Sequence, residues 1–110
     1  MATTYKILGQ SAPSDTSNAD LYTVPESTQA VISTIFVTNV TATEATCRIF
    51  IREDGATAAA GNALIYDAPV AANDFTAITT GITLGPTDVI TVQSGTGDAL
   101  TFHAYGSEIV

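Results

Sequence analysis

The sequence predicts an all-β protein, an antiparallel β-sandwich of the jelly-roll or immunoglobulin-like kind. Three observations carry this expectation. Nineteen of the 110 residues are threonine, interleaved with Val, Ile, Phe and Ala in segments such as 30–39 and 88–92. β-Branched side chains are stiff at χ1 and fit a pleated surface better than a helix. Apolar and polar residues alternate with period two in strand-length runs, and no helix-length period of 3.6 residues appears. Turn residues recur about every ten positions between short strands, as in sandwiches and barrels.

Taken in order, residues 5–8 make a short first strand. Residues 9–18 are rich in Ser, Ala, Pro and Asp without an apolar period, and read as a loop. Residues 20–24 are a second strand, ended by Pro25, which has no N–H to give a ladder. A turn at 26–29 leads into the strongest strand signal, residues 30–40. One face there carries Val31, Ser33, Ile35 and Val37, and the other Ile32, Thr34, Phe36 and Thr38. Neither face is wholly polar, so this strand is expected to be central or covered on both sides.

After a turn at 41–43, residues 46–53 alternate more cleanly. Cys47, Ile49 and Ile51 point one way, Arg48, Phe50 and Arg52 the other. Asp54-Gly55 starts a turn, and the connection runs on to Asn62. This small-residue loop is expected to protrude or to be mobile, with room for a single helical turn at 57–60. Strands at 63–68, 75–79, 82–84, 88–93 and 99–105 complete the set. Pro69, Asn73-Asp74, Gly81, Gly85-Pro86 and 94–97 separate them. The expected core is Ile32, Phe36, Ile49, Ile51, Ile65, Ile90, Val92, Leu100 and Phe102.

By its length, the chain is expected to form a single β-sandwich domain over residues 1–110. A domain of this size buries roughly two thirds of the surface its unfolded chain exposes, enough for one core without staples. A hydrophobic content of 45% supports a folded globule over disorder.

The formal net charge is −8, and Lys6, Arg48 and Arg52 are the only Lys or Arg residues. Nucleic acid is therefore not an expected partner, because binding it requires cations that release counterions. Membranes are not expected partners either: anionic headgroups repel the chain. No apolar run approaches the ~20 residues needed to span a bilayer. The N-terminus lacks a basic stretch followed by an apolar one, so the product is expected to be made in a cytoplasm without signal-directed export.

The search for chemistry is largely negative. The single Cys47 falls in phase with Ile49 and Ile51, as a small core residue does. The only histidine, His103, alternates away from Phe102 and reads as a solvent-facing or interface residue. A zinc site needs several Cys or His ligands. Asp54, Asp67, Asp74, Asp88 and Asp98 sit in or near turns, where Asp serves its own backbone, and no Asp-x-Asp-x-Asp calcium loop occurs. Gly95-Thr96-Gly97 lacks the glycine spacing, lysine and helix of a phosphate loop. Asn39-Val40-Thr41 fits a glycosylation sequon. No catalytic, cofactor-binding or metal-binding residue is assigned, no cofactor is expected, and the protein is not expected to be an enzyme.

Three stretches carry a family resemblance: residues 21–39, LYTVPESTQAVISTIFVTN; residues 81–92, GITLGPTDVITV; and residues 102–109, FHAYGSEI. The chain resembles small β-sandwich virion structural proteins of tailed bacteriophages, particularly those of cyanophages. Such proteins carry a Tyr-x-Val-Pro step before a long strand and close on Gly-x-x-Ile. The resemblance implies a subunit located on the virion after synthesis in the host cytoplasm. It implies capsid decoration (cement) as the role, with a neck or tail fibre component, or a module binding host glycan or protein, as the alternative. The implied partners are other virion proteins such as the major capsid protein. Unpaired strand edges add the expectation of a homo-oligomer, for instance a trimer. Segments 9–18 and 54–62 lack a core-facing pattern and are the expected partner contacts.

Overall fold

A computed structural model describes residues 2–79 and 81–110. Its strands are β1 (Thr3–Ser11), β2 (Ala19–Thr23), β3 (Gln29–Asn39), β4 (Ala45–Arg52), β5 (Ala63–Val70), β6 (Phe75–Ile78), β7 (Ile82–Leu84), β8 (Val89–Ser94) and β9 (Leu100–Ile109). Two 3₁₀ turns, Glu53–Gly55 and Ala60–Asn62, lie between β4 and β5. Every strand pair is antiparallel. One sheet runs β1-β9-β3, with β6 and β7 sharing the far side of β3; the other runs β2-β8-β4-β5. First and last strands lie side by side, and successive strands alternate between the sheets through β1 to β4. This is the jelly roll, not the immunoglobulin arrangement in which the first two strands share a sheet.

The core lies between the sheets. Ile32, Ile49, Ile90, Val92, Leu100 and Phe102 are buried there as expected, together with Leu21, Val24, Ile35, Val37, Val70 and Leu84. Cys47 is in the same cluster, and burial pushes its thiol up to about 11. Ile51 and Ile65 are half-buried at its margin. Phe36 is not in the core. The pairing of β3 with β9 slips between Ile32 and Thr34, leaving Ser33 as an extra residue. This bulge brings Ile32 onto the same face as Ile35 and Val37 and turns Phe36 outward. A matching slip between Ile7 and Gly9 makes Leu8 the extra residue on β1. Strand β9 is thus flanked on both sides by bulges near Tyr105.

The first expected loop begins later than its residues suggest. Gly9, Gln10 and Ser11 continue β1, opposite Ala104, His103 and Phe102. Their apolar signal is absent because backbone bonds, not side chains, hold them. The 53–62 connection is largely exposed and is braced by local side-chain bonds. Arg52 donates from Nε to the Ala56 carbonyl at 2.6 Å and from Nη2 to the Gly55 carbonyl at 3.0 Å. Asn62 closes the second turn, accepting from the Ala59 N–H and donating to the Thr57 carbonyl. The helical turns fall on either side of 57–59.

Asn39 ends β3 fully buried, with every polar valence used. Its Nδ2 donates to the carbonyls of Thr43 (2.8 Å) and Val70 (3.1 Å); its Oδ1 accepts from the N–H (2.9 Å) and hydroxyl (2.7 Å) of Thr41. A glycan on this sequon is incompatible with the folded chain, since the amide is both inaccessible and occupied.

Candidate functional site

The charges are sorted by the fold. The three Lys and Arg side chains each have a carboxylate: Lys6 with Glu108 at 2.9 Å, Arg48 with Asp67 at 2.7 Å, and Arg52 with Asp20 at 3.2 Å. That uses three of the eleven acids and leaves eight, equal to the net charge of −8. All eight lie in the connections at the two ends of the sandwich. Asp15, Glu44, Asp74 and Asp98 occupy the four connections of one end, β1–β2, β3–β4, β5–β6 and β8–β9. Backbone bonds knit these together, such as Asp98 N–H to the Pro13 carbonyl and Asn73 N–H to the Thr41 carbonyl. Glu26, Glu53, Asp54 and Asp88 occupy the opposite end, where Asp88 accepts from the N–H groups of Asp54 and Gly85.

The two outer faces differ. On β2-β8-β4-β5, Arg48 lies over the Tyr66 ring at 3.9 Å while pairing with Asp67, and Tyr66 meets Phe50 edge-on at 6.5 Å. Arg52 adds a bond to the Thr91 hydroxyl, which in turn donates to Asp20. This face carries its charges in ion pairs and also exposes the Tyr66 ring.

The outer face of β1-β9-β3-β6/β7 has no Lys, Arg, Asp or Glu among its described residues. The strand register places Tyr5 opposite Ser107, Ile7 opposite Tyr105, and Gln10 opposite His103. On the other side of β9 it sets Val31 by Ser107, Thr34 by Tyr105, Phe36 by His103, and Thr38 by Thr101. Phe75 and Ala77 continue the row on β6. The one charged pair carried by these strands turns inward: Lys6 and Glu108 face β2, where the Tyr22 hydroxyl donates to Glu108 at 2.6 Å.

Aromatic rings run across this face. Phe36 lies 6.0 Å from both Phe75 and Tyr105, centroid to centroid. His103 Nδ1 is 2.9 Å from the Tyr105 hydroxyl and 3.2 Å from Gln10 Nε2. Tyr5, Ile7 and Phe75 are 83%, 56% and 58% exposed, whereas core residues are almost wholly covered. A shallow depression of about 550 Å³ lies between Tyr5, Val31, Ser33, Tyr105 and Ser107, and Lys6, paired with Glu108, and Gly106 complete its lining. His103 therefore faces outward at the centre of an uncharged aromatic surface.

Sequence reading missed this surface. Its signal lies in the absence of charge at the outward positions of strands far apart in the chain. Of the expected contact segments, residues 12–18 do lie in a connection, but Pro13 is buried and Gln93 Nε2 donates to the Thr16 carbonyl. Among the described residues no group of three or more His, Cys, Asp or Glu is placed to hold a metal ion. Asp54, Asp67 and Asp98 adopt positive φ, consistent with turn and bulge duty. No helix among the described residues is long and apolar enough to cross a membrane.

Glu108 in β9 is held by two partners from other strands. The Tyr22 hydroxyl, then the Lys6 ammonium, hold its carboxyl below the usual range. A carboxyl with a lowered folded-state value adds stability above its unfolded pKa, roughly 4.3, and loses it as pH falls toward the folded value. The Glu108→Gln variant should be less stable than wild type at neutral pH and should lose less on acidification from about pH 5 to pH 3. Urea midpoints across that window read the effect. Parallel curves for the two proteins would show that this carboxylate contributes nothing to acid sensitivity.

No family model matches the chain, and no curated protein matches it. Among solved structures, it is similar in fold to a chain in the structure of infectious bursal disease virus Gx strain, with a TM-score of 0.51 and 13% identity over 97% of this chain. The match covers 30% of the length of that viral chain.

Proposed function

We propose that the chain is a structural subunit of a virus particle, specifically a decoration (cement) subunit on the capsid of a tailed bacteriophage. The observation that carries the reading is the fold: a jelly roll completed within 110 residues and similar over nearly its whole length to a chain from a virus structure. The surface is consistent with an assembly part. Unpaired acids at the ends suit a basic patch on a shell protein, and the uncharged aromatic face suits a macromolecular contact, where charged residues are depleted and Tyr and Phe enriched. A subunit that binds the assembled shell but not its dissociated parts stabilises that shell by mass action. Its affinity rests on complementary surface.

The second reading is a neck or tail fibre component, or a module for host glycan or protein. The exposed rings of Tyr5 and Phe75 favour it, because such rings stack on sugars. Removing the gene separates the readings. Under the decoration reading, particles lacking the protein assemble but break at lower temperature or lower salt. Particles of full robustness that no longer adsorb to hosts would replace it with the fibre reading. Turnover of a phage or cell-wall substrate by the purified protein would end both.

A further inference from the structure

We infer that the outer face of β1-β9-β3-β6/β7 joins two copies of this chain, face to face, and that the free protein is a homodimer. The inference stands without the virion reading.

Charge selects the occupant. Each copy carries −8, all of it in the end connections once the three ion pairs are discounted. A second copy brought to either end meets like charge. Brought to this face, it meets none. The face is also its own complement. Phenyl and phenol rings at Phe36, Phe75, Tyr5 and Tyr105 supply apolar area, while Gln10, His103 and the outward threonines and serine supply both donors and acceptors. A two-fold contact needs such a surface, since the same patch serves both partners.

Size is adequate. Four strand lanes about 4.8 Å apart, over about nine residues of about 3.3 Å rise, give a footprint near 600 Å² per copy. Two copies then bury about 1,200 Å², at the lower bound of stable specific interfaces. Real side-chain relief adds to this. Burying the ring of Tyr5, now 83% exposed, and of Phe75, now 58% exposed, removes the largest unpartnered apolar groups from water.

Sedimentation velocity on the full chain tests the inference. At protein concentrations near 0.1 mM, wild type should sediment with twice the chain mass; a contact of this size with a micromolar Kd is then nearly fully formed. Raising salt from about 0.15 M to about 1 M should strengthen the dimer, because screening weakens repulsion between the acidic ends while the uncharged contact is spared. Ile7→Glu and Phe75→Glu each place a charge in the contact at an exposed position and should return the chain to monomer mass with its circular dichroism unchanged. Glu44→Ser, at an end connection, should leave the dimer intact. A wild-type chain that stays monomeric at both salt levels overturns the inference, and the face then belongs to another occupant, such as a shell protein. A dimer that survives both glutamate variants places the contact elsewhere and overturns it equally.

Discussion

Replacing Gly106 by alanine should destabilise the protein by about 3 kcal/mol or more, the upper range for overpacking a closed site. Gly106 lies in β9, between Lys6 of β1 and Ile32 of β3. A Cβ there would collide with the Val31 carbonyl oxygen and stand 3.0 Å from the Ile32 Cα. Both obstacles are backbone, so no rotamer change relieves them. The strands must separate, and ladder bonds beside the Ser33 bulge are lost. Gly61 is the matched control: nothing lies within 4 Å of its added Cβ, and Gly61→Ala should stay within about 0.5 kcal/mol of wild type. Urea unfolding followed by circular dichroism compares the two. Equal midpoints would mean that β3 and β9 do not approach as described.

Ile49→Ala should cost roughly 4 kcal/mol, within the 2–5 kcal/mol range for emptying a buried Ile site. Ile49 has no exposed surface and sits on β4 between Val92 of β8 and Ile65 of β5. Ile49 lies on a strand paired on both sides, so the cavity cannot collapse without bending the ladder. Ile49→Val should cost only about 1 kcal/mol. A loss below that for the alanine variant would contradict burial at this position. Typical domains hold only about 5–15 kcal/mol in total, so Gly106→Ala and Ile49→Ala each threaten folding.

Much of the fold is legible in the residues, and the failures have physical causes. Alternation at Cys47, Ile49 and the run from Leu100 to Ala104 assigns faces correctly, because β4 keeps register with β8, and β9 with β3, along those residues. Alternation fails at β3. One extra residue, Ser33, inverts the faces of everything after it, and a serine among threonines gives no local sign of a bulge. Phe36 moves from expected core to the aromatic surface for that reason alone. Residues 9–11 escape notice because small and polar residues can join a sheet wherever a neighbour supplies the ladder. The 3₁₀ turn at 53–55 is braced by one long side chain, Arg52, reaching the carbonyls of Gly55 and Ala56.

The surface distribution is the part least accessible from the chain. Each of Lys6, Arg48 and Arg52 finds its carboxylate in another strand, across separations of 102, 19 and 32 positions. Only the register reveals that these pairs cancel and that one whole face is left uncharged.

The placement of the eight unpaired acids has a consequence for how the molecule moves before it binds anything. Its extents are 45 × 26 × 22 Å. The eleven residues of β3 alone span about 36 Å, so the long axis follows the strands. Four negative charges at each pole, with a neutral waist between, make a nearly balanced rod. Its charge dipole is small and its axial quadrupole large. At physiological salt the screening length is about 8 Å, so the poles are electrically independent. An approaching positive surface therefore draws either tip with similar force and exerts little torque to choose between them. Electrostatics sets how often a tip arrives, and the contours of the two tips must decide which arrival is kept.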